Sequence, residues 1–322
     1  MQLSRDKLVE AYRKMATIRA FEERVGAESV KGAIPGFVHL YAGEEAAAVG
    51  VCMHLGDKDW IGSTHRGHGH CIAKGCSVEA MMVEIYGKAG GLCGGKGGSM
   101  HIADLHMGML GANGIVGGGP PLAVGAALSA KTLKTGAVSV AFLGDGASNQ
   151  GTTAEAMNMA VVLKVPAVFV IENNGYGEAT AVGYHCGAGD ISARTAAFGM
   201  PAEKVEDGTD FFAVYEAAGR ALRHAREEGM PAAVEIVCAR QGGHYTGDPQ
   251  PYRSKDELEQ VKKNDPLVRF RKRVTGEGLV SAADLDQVDR EVAALIERAV
   301  QKAAAAPLPA VEELTTDVYV SY

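Results

Sequence analysis

No run of Lys or Arg in the 322-residue sequence is long enough to follow a phosphate backbone, and the net charge is −7. Nucleic acid is therefore not an expected partner. No segment approaches the roughly 18 apolar residues that span a bilayer, so no membrane partner is expected. The N-terminal stretch (MQLSRDKLVEAYRKMATIRAFEERV) is charged and helix-patterned, unlike a signal peptide. The six cysteines (Cys52, Cys71, Cys76, Cys93, Cys186, Cys238) include no CxxC pair. They read as free thiols in a reducing, cytoplasmic setting. No internal repeat is visible.

What is present in excess is glycine, 42 residues against an average of about 7%. The glycines cluster in loops without a period, which indicates backbone approaching a ligand rather than a fibrous or disordered chain. With 47% hydrophobic and 22% charged residues, an ordinary globular core is available to the chain.

Apolar residues at helical spacing (Leu8, Tyr12, Met15, Ile18, Val25) mark an amphipathic helix over 5–31, within a helical N-terminal segment 1–35. Further helices are expected over 43–55 and 77–86, the second opening on a Ser cap. Residues 87–121 then carry many glycines interleaved with Met, Ile, Leu and Val, the composition of an ordered, ligand-facing loop. Beyond it, helices (122–134, 152–163, 211–228) alternate with strands (138–143, 167–172, 232–239), and a helical segment covers 254–322. This alternation predicts one α/β unit over the whole chain, with a mainly parallel sheet covered by helices on both faces.

The stretch VSVAFL-GDGASNQ-helix-AVFVIE-NNGYG is a βαβ crossover of the expected length. Its right-handed connection brings two strand carboxyl ends to one sheet edge, where α/β folds bind ligands. One end carries Asp145 between Gly144 and Gly146; the other carries Asn173 and Asn174. An acid, a carboxamide oxygen and a freed carbonyl are hard oxygen ligands of the kind Mg²⁺ takes, usually alongside water and substrate phosphates. Glycines before a helix admit phosphate to backbone N–H groups. The pairing predicts a diphosphate held through a metal. GDG or Asn-Asn alone would be ordinary turn chemistry.

GDG followed about thirty residues later by NN resembles the thiamine diphosphate motif, and its fold is expected here. GFVHLYAGEEA (36–46), GGKGGSMH (94–101), GANGIVGGG (111–119), GDGASNQG (144–151) and ENNGYG (172–177) extend the resemblance over nearly the whole chain. They resemble the α subunit of the heterotetrameric, thiamine diphosphate-dependent decarboxylase component of 2-oxo acid dehydrogenase complexes. STHRGHGHCIAKG and the 97–119 segment are most similar to the acetoin dehydrogenase branch. Pyruvate-type members usually carry Tyr where this sequence has His65.

The resemblance implies that Asp145, the Asn174 side chain and the Tyr176 carbonyl hold Mg²⁺. Arg66, Gly144, Gly146, Ala147 and Arg240 would approach the diphosphate, and Gly114 and Val116 the aminopyrimidine. His39 and His65 would line the substrate side, with His244 the catalytic histidine of a mobile loop that also binds cofactor phosphate or moves protons. Tyr245 and Pro251 stand where mitochondrial relatives carry phosphorylatable serines, which fits a bacterial enzyme without that control. The implied reaction is acetoin cleavage to acetaldehyde, with the acetyl unit passing to a lipoyl acetyltransferase component. Alternatives are decarboxylation of pyruvate or a branched 2-oxo acid, and a non-catalytic assembly role. A β subunit is expected to complete an α2β2 enzyme and to supply the activating glutamate.

The tract HRGHGH (65–70) reads as a loop, and alternating histidines in a loop do not make a tetrahedral zinc site. His68 and His70 are either solvated or order the active-site loop. His54, His185 and His224 read as structural or surface residues.

Overall fold

The computed structural model describes residues 3–319. A six-stranded, all-parallel sheet runs in the order β2-β1-β3-β4-β8-β7. Its strands are β1 (Trp60–Gly62), β2 (Met109–Gly111), β3 (Ser139–Gly144), β4 (Ala167–Asn173), β7 (Ala202–Val205) and β8 (Ala232–Val237). A small hairpin, β5 (Tyr176–Gly177) with β6 (Thr180–Ala181), projects beyond β4. The helices are α1 (Arg5–Val30), α2 (Glu45–Cys52), α3 (Gly67–Lys74), α4 (Val78–Ile85), α5 (Gly119–Leu133) and α6 (Gly151–Leu163). There follow α7 (Val182–His185), α8 (Ile191–Ala196), α9 (Phe211–Glu228), α10 (Lys255–Lys263), α11 (Pro266–Gly276) and α12 (Ala282–Ala305).

Both sheet faces are buried. Val140, Phe142, Val168, Val170, Val234 and Ile236 join the core built from α1–α4, α9, α11 and α12. Ala141, Leu143, Phe169, Ile171 and Ala233 point the other way, toward α5, α6 and α8. Successive side chains alternate faces, so a strand buried on both sides must be largely apolar, as residues 140–143 of β3 and 167–171 of β4 are.

Side-chain caps set several helix starts, as Ser4, Ser77 and Asp210 accept from the amides of Lys7, Ala80 and Phe212. The Gly-rich segment before α5 is ordered from beneath by the buried Glu84 carboxylate. It accepts from the backbone amides of Cys93, Gly95 and Gly97 at 2.8 Å each and of Gly98 at 3.0 Å.

Four expectations need correction. HRGHGH is the entrance to α3 rather than a loop, because Gly75, at φ +110°, closes a helix over Gly67–Lys74. The C-terminal helical segment ends at Ala305 and leaves only a 3-10 turn at Val311–Thr315. The N-terminal helix ends at Val30, short of residue 35, and residues 1, 2 and 320–322 lie outside the described part. Strands β1, β2 and β7 have no counterpart in the sequence pattern, since three or four residues are too few to establish a period. All six cysteines are free, and among the described residues no helix is long and apolar enough to cross a membrane.

Candidate active site

Strands β3 and β4 pair in register with Gly144 opposite Glu172. The next residues, Asp145 and Asn173-Asn174, therefore leave the sheet side by side. Arg240 follows β8, and Thr64 to Arg66 follow β1, so four adjacent strand ends converge. A cavity of about 360 Å³ lies there, and every site residue singled out in the sequence lines it. These are His39, His65, Arg66, Gly114, Val116, Gly144, Asp145, Gly146, Ala147, Asn174, Tyr176, Arg240 and His244.

Asp145 is 1% exposed, and burial raises its pKa against the opposing pull of His185. Gly146 is needed for close approach, since a Cβ there would lie 3.1 Å from the Gly177 Cα. Asn174 donates from Nδ2 to Glu44 Oε1 at 2.8 Å, and its Oδ1 accepts from the Tyr176 amide at 3.3 Å. Asn173 turns elsewhere and donates to Glu235 Oε1 at 2.7 Å. Gly175, at φ +86°, makes the bend between Asn174 and Tyr176.

Arg66 and Arg240 are 4% and 2% exposed. Arg66 donates to the carbonyls of Leu40 (2.8 Å) and His244 (2.6 Å), and Arg240 to that of Glu178 (3.1 Å). Neither forms an ion pair with a described carboxylate, and Arg240 Nε has no hydrogen-bond partner there. Burial lowers the Arg66 pKa to about 10, with Arg240 adding to the effect against the attraction of Glu44. Two buried guanidiniums without counter-ions form a donor set suited to a diphosphate.

His39, His65 and His244 cluster with ring centroids 4.7 to 5.4 Å apart. Burial, then the charge of Arg66, lowers their pKa values to about 3, 2 and 4 respectively. They are neutral imidazoles at pH 7, each able to donate one hydrogen bond and accept another. Their ligand nitrogens lie within 4.8 Å of one another, but the two arginines oppose a cation among them.

Three residues at or beside this cavity are not among the site residues singled out in the sequence. Glu44 is 1% exposed; burial and then Glu172 raise its pKa to about 7, and its Oε2 has no hydrogen-bond partner. Glu172 accepts from His70 Nε2 at 3.0 Å and from the Tyr41 hydroxyl. His185, expected at the surface or in a structural role, reaches Asp145 Oδ2 at 3.0 Å.

The solvated reading of His68 and His70 is overturned, as both are fully buried. His68 Nδ1 is 3.1 Å from each Glu22 carboxylate oxygen and Nε2 is 2.9 Å from Ser99 Oγ, which ties α1 to the Gly-rich segment. His70 bridges Ser63 Oγ (2.7 Å) and Glu172.

Residues 13–312 match the family model described as dehydrogenase E1 component. The α subunit of acetoin:2,6-dichlorophenolindophenol oxidoreductase from Cupriavidus necator is 58% identical, over 100% of this chain and 97% of the relative. Its counterpart from Bacillus subtilis is 53% identical, over 100% and 96%. The pyruvate dehydrogenase E1 α subunit of Rhizobium meliloti is 39% identical, over 98% and 91%. By these matches the chain belongs to the thiamine diphosphate-dependent dehydrogenase E1 component family.

Proposed function

We propose that the chain is the α subunit of a thiamine diphosphate- and Mg²⁺-dependent enzyme that cleaves acetoin and passes the acetyl unit to a lipoyl acceptor. The observation carrying this reading is the β3–β4 register, which ends the two strands together so that Asp145 and Asn174 line one cavity with two buried arginines. The full-length similarity to relatives named for acetoin favours that substrate over a 2-oxo acid.

Asp145, Asn174 Oδ1 and the Tyr176 carbonyl would hold Mg²⁺, an all-oxygen set that leaves positions for phosphate and water. Arg66, Arg240 and the backbone of Gly144, Gly146 and Ala147 would hold the diphosphate, and Gly114 and Val116 would meet the aminopyrimidine. Thiamine diphosphate, when bound, supplies the nucleophilic carbon and the electron sink that carbon–carbon cleavage requires. The protein's part is orientation and proton handling. His39, His65 and His244 are neutral and close together, which suits hydrogen-bonding and orienting the hydroxyl of acetoin as acetaldehyde leaves.

The activating glutamate is assigned to a β subunit in an α2β2 assembly. Exposed apolar residues support a covering partner: Ile115 and Val116 at the cavity rim, and Leu122, Leu133, Met159 and Val162 on α5 and α6. The acyl acceptor is assigned to the lipoyl group of an acetyltransferase component, and the location to the cytoplasm.

Steady-state reduction of dichlorophenolindophenol by the reconstituted α–β enzyme tests this. A kcat/KM for acetoin well above those for pyruvate and branched 2-oxo acids supports it, with no turnover by the chain alone. A preference for a 2-oxo acid refutes the substrate assignment.

A further inference from the structure

Asn174 supplies a carboxamide oxygen to the proposed metal site, and a carboxamide is useful there in only one of its two orientations. With the oxygen inward it donates a lone pair to a cation; flipped, it presents N–H groups that cannot ligate. Something in the fold has to select between them.

The residue placed to do so is Glu44, 130 positions away in sequence. Its Oε1 accepts from Asn174 Nδ2 at 2.8 Å and from the Cys238 thiol at 3.7 Å. A carboxylate accepts and does not donate, so it holds the nitrogen end of Asn174. Oδ1 then lies on the side of the Tyr176 backbone, whose amide it accepts from at 3.3 Å.

Glu44 is itself rigidly set. It is 1% exposed at the start of α2 and follows Gly43, whose φ is +103°. A Cβ on Gly43 would lie 2.3 Å from the Ala239 carbonyl oxygen, and Gln241 donates to the Ala42 carbonyl at 2.8 Å. The 42–44 backbone is thereby pressed against the segment after β8, and side-chain reach alone decides whether Glu44 meets Asn174.

We propose that Glu44 is a positioning residue that fixes the Asn174 carboxamide with its oxygen toward the metal site. This rests on the metal and cofactor reading above. Glu44 acts through the reach and acceptor character of its side chain, not through its charge.

Binding of Mn²⁺ to the α–β enzyme, followed by electron paramagnetic resonance at saturating thiamine diphosphate, separates the two. E44Q keeps reach and an acceptor oxygen and should bind within about threefold of the native enzyme. E44D keeps charge but retracts it by one methylene, and should bind about 10- to 100-fold more weakly, as loss of an outer partner of a metal ligand does. In an N174A background, E44D should weaken binding no further, because neighbours acting as one unit are not additive.

Native-like binding by E44D, a tenfold loss in E44Q, or a further loss from E44D on top of N174A would each overturn the proposal. The isosteric E44Q alone decides the matter if E44D does not fold. Failure of the native enzyme to bind Mn²⁺ would refute the functional reading itself, whereas native binding with any of those variant results would refute only the role of Glu44.

Discussion

His185 Nε2 lies 3.0 Å from Asp145 Oδ2, so one oxygen of the proposed metal ligand is held by an imidazole from 40 residues downstream. The proton can be placed. Asn149 Oδ1 accepts from Arg194, so Asn149 Nδ2 donates to His185 Nδ1 at 2.8 Å. Nε2 therefore carries the hydrogen and donates to Asp145. His185 orients the carboxylate and leaves Oδ1 for a cation. H185A should weaken Mg²⁺ binding about tenfold at saturating thiamine diphosphate, as measured by calorimetric titration; unchanged affinity would remove this role.

Arg66 and Arg240 are buried with no carboxylate within ion-pair distance, so for Arg66 burial and the repulsion of Arg240 outweigh the attraction of Glu44. R66M should therefore leave the cofactor-free melting temperature unchanged or higher, while weakening thiamine diphosphate about 10- to 100-fold, the range of a charge-assisted hydrogen bond. Thermal melts and calorimetry on the same samples check both parts. A lower melting temperature with unaltered affinity would show that Arg66 serves packing instead.

The histidine cluster sets a pH dependence. His39, His65 and His244 have folded-state pKa values of about 3, 2 and 4, against about 6.5 unfolded. Their contribution to stability is complete above about pH 6.5 and is lost as pH falls toward the folded values. Glu44 has the opposite sign, since its pKa is raised from 4.5 to about 7 and its contribution is lost as pH rises through that interval. His54, also lowered, adds to the histidines, and Glu45 and Asp145, both raised, add to Glu44; the three large histidine shifts dominate, so the urea midpoint of the cofactor-free protein should fall between pH 6.5 and 5. H65N should reduce the slope by up to about 1.4 kcal/mol per pH unit. An identical slope in H65N would contradict these assignments.

Gly69 lets α3 pass the fully buried Tyr41 ring, because a Cβ there would lie 2.2 Å from Tyr41 Cδ1. G69A should cost about 1–3 kcal/mol by overpacking, seen as a lower urea midpoint. It should also disturb the Tyr41 hydroxyl contact to Glu172. A midpoint equal to the native one would mean that Tyr41 can move aside.

The sheet and its cavity were legible because β3 and β4 each carry an unbroken apolar run, 140–143 and 167–171, shortly followed by Asp145 and Asn174, a local pattern. What escaped notice depends on distant partners. Glu44 lies in the GFVHLYAGEEA stretch, but its role shows only once Asn174 and Cys238 are placed beside it. His185 gains meaning only from Asp145 and Asn149. His68 and His70 read as loop residues because two glycines among them suggested a turn, whereas those glycines make room for Tyr41 and Ala112 in helix packing.

The most direct measurement is calorimetric titration of the α–β enzyme with thiamine diphosphate, with Mg²⁺ and then with excess chelator, for the native protein and D145A. Binding that requires the divalent cation and is lost in D145A is the predicted result. Equal binding under chelator, or undiminished binding in D145A, would contradict the assignment of this strand-end cavity.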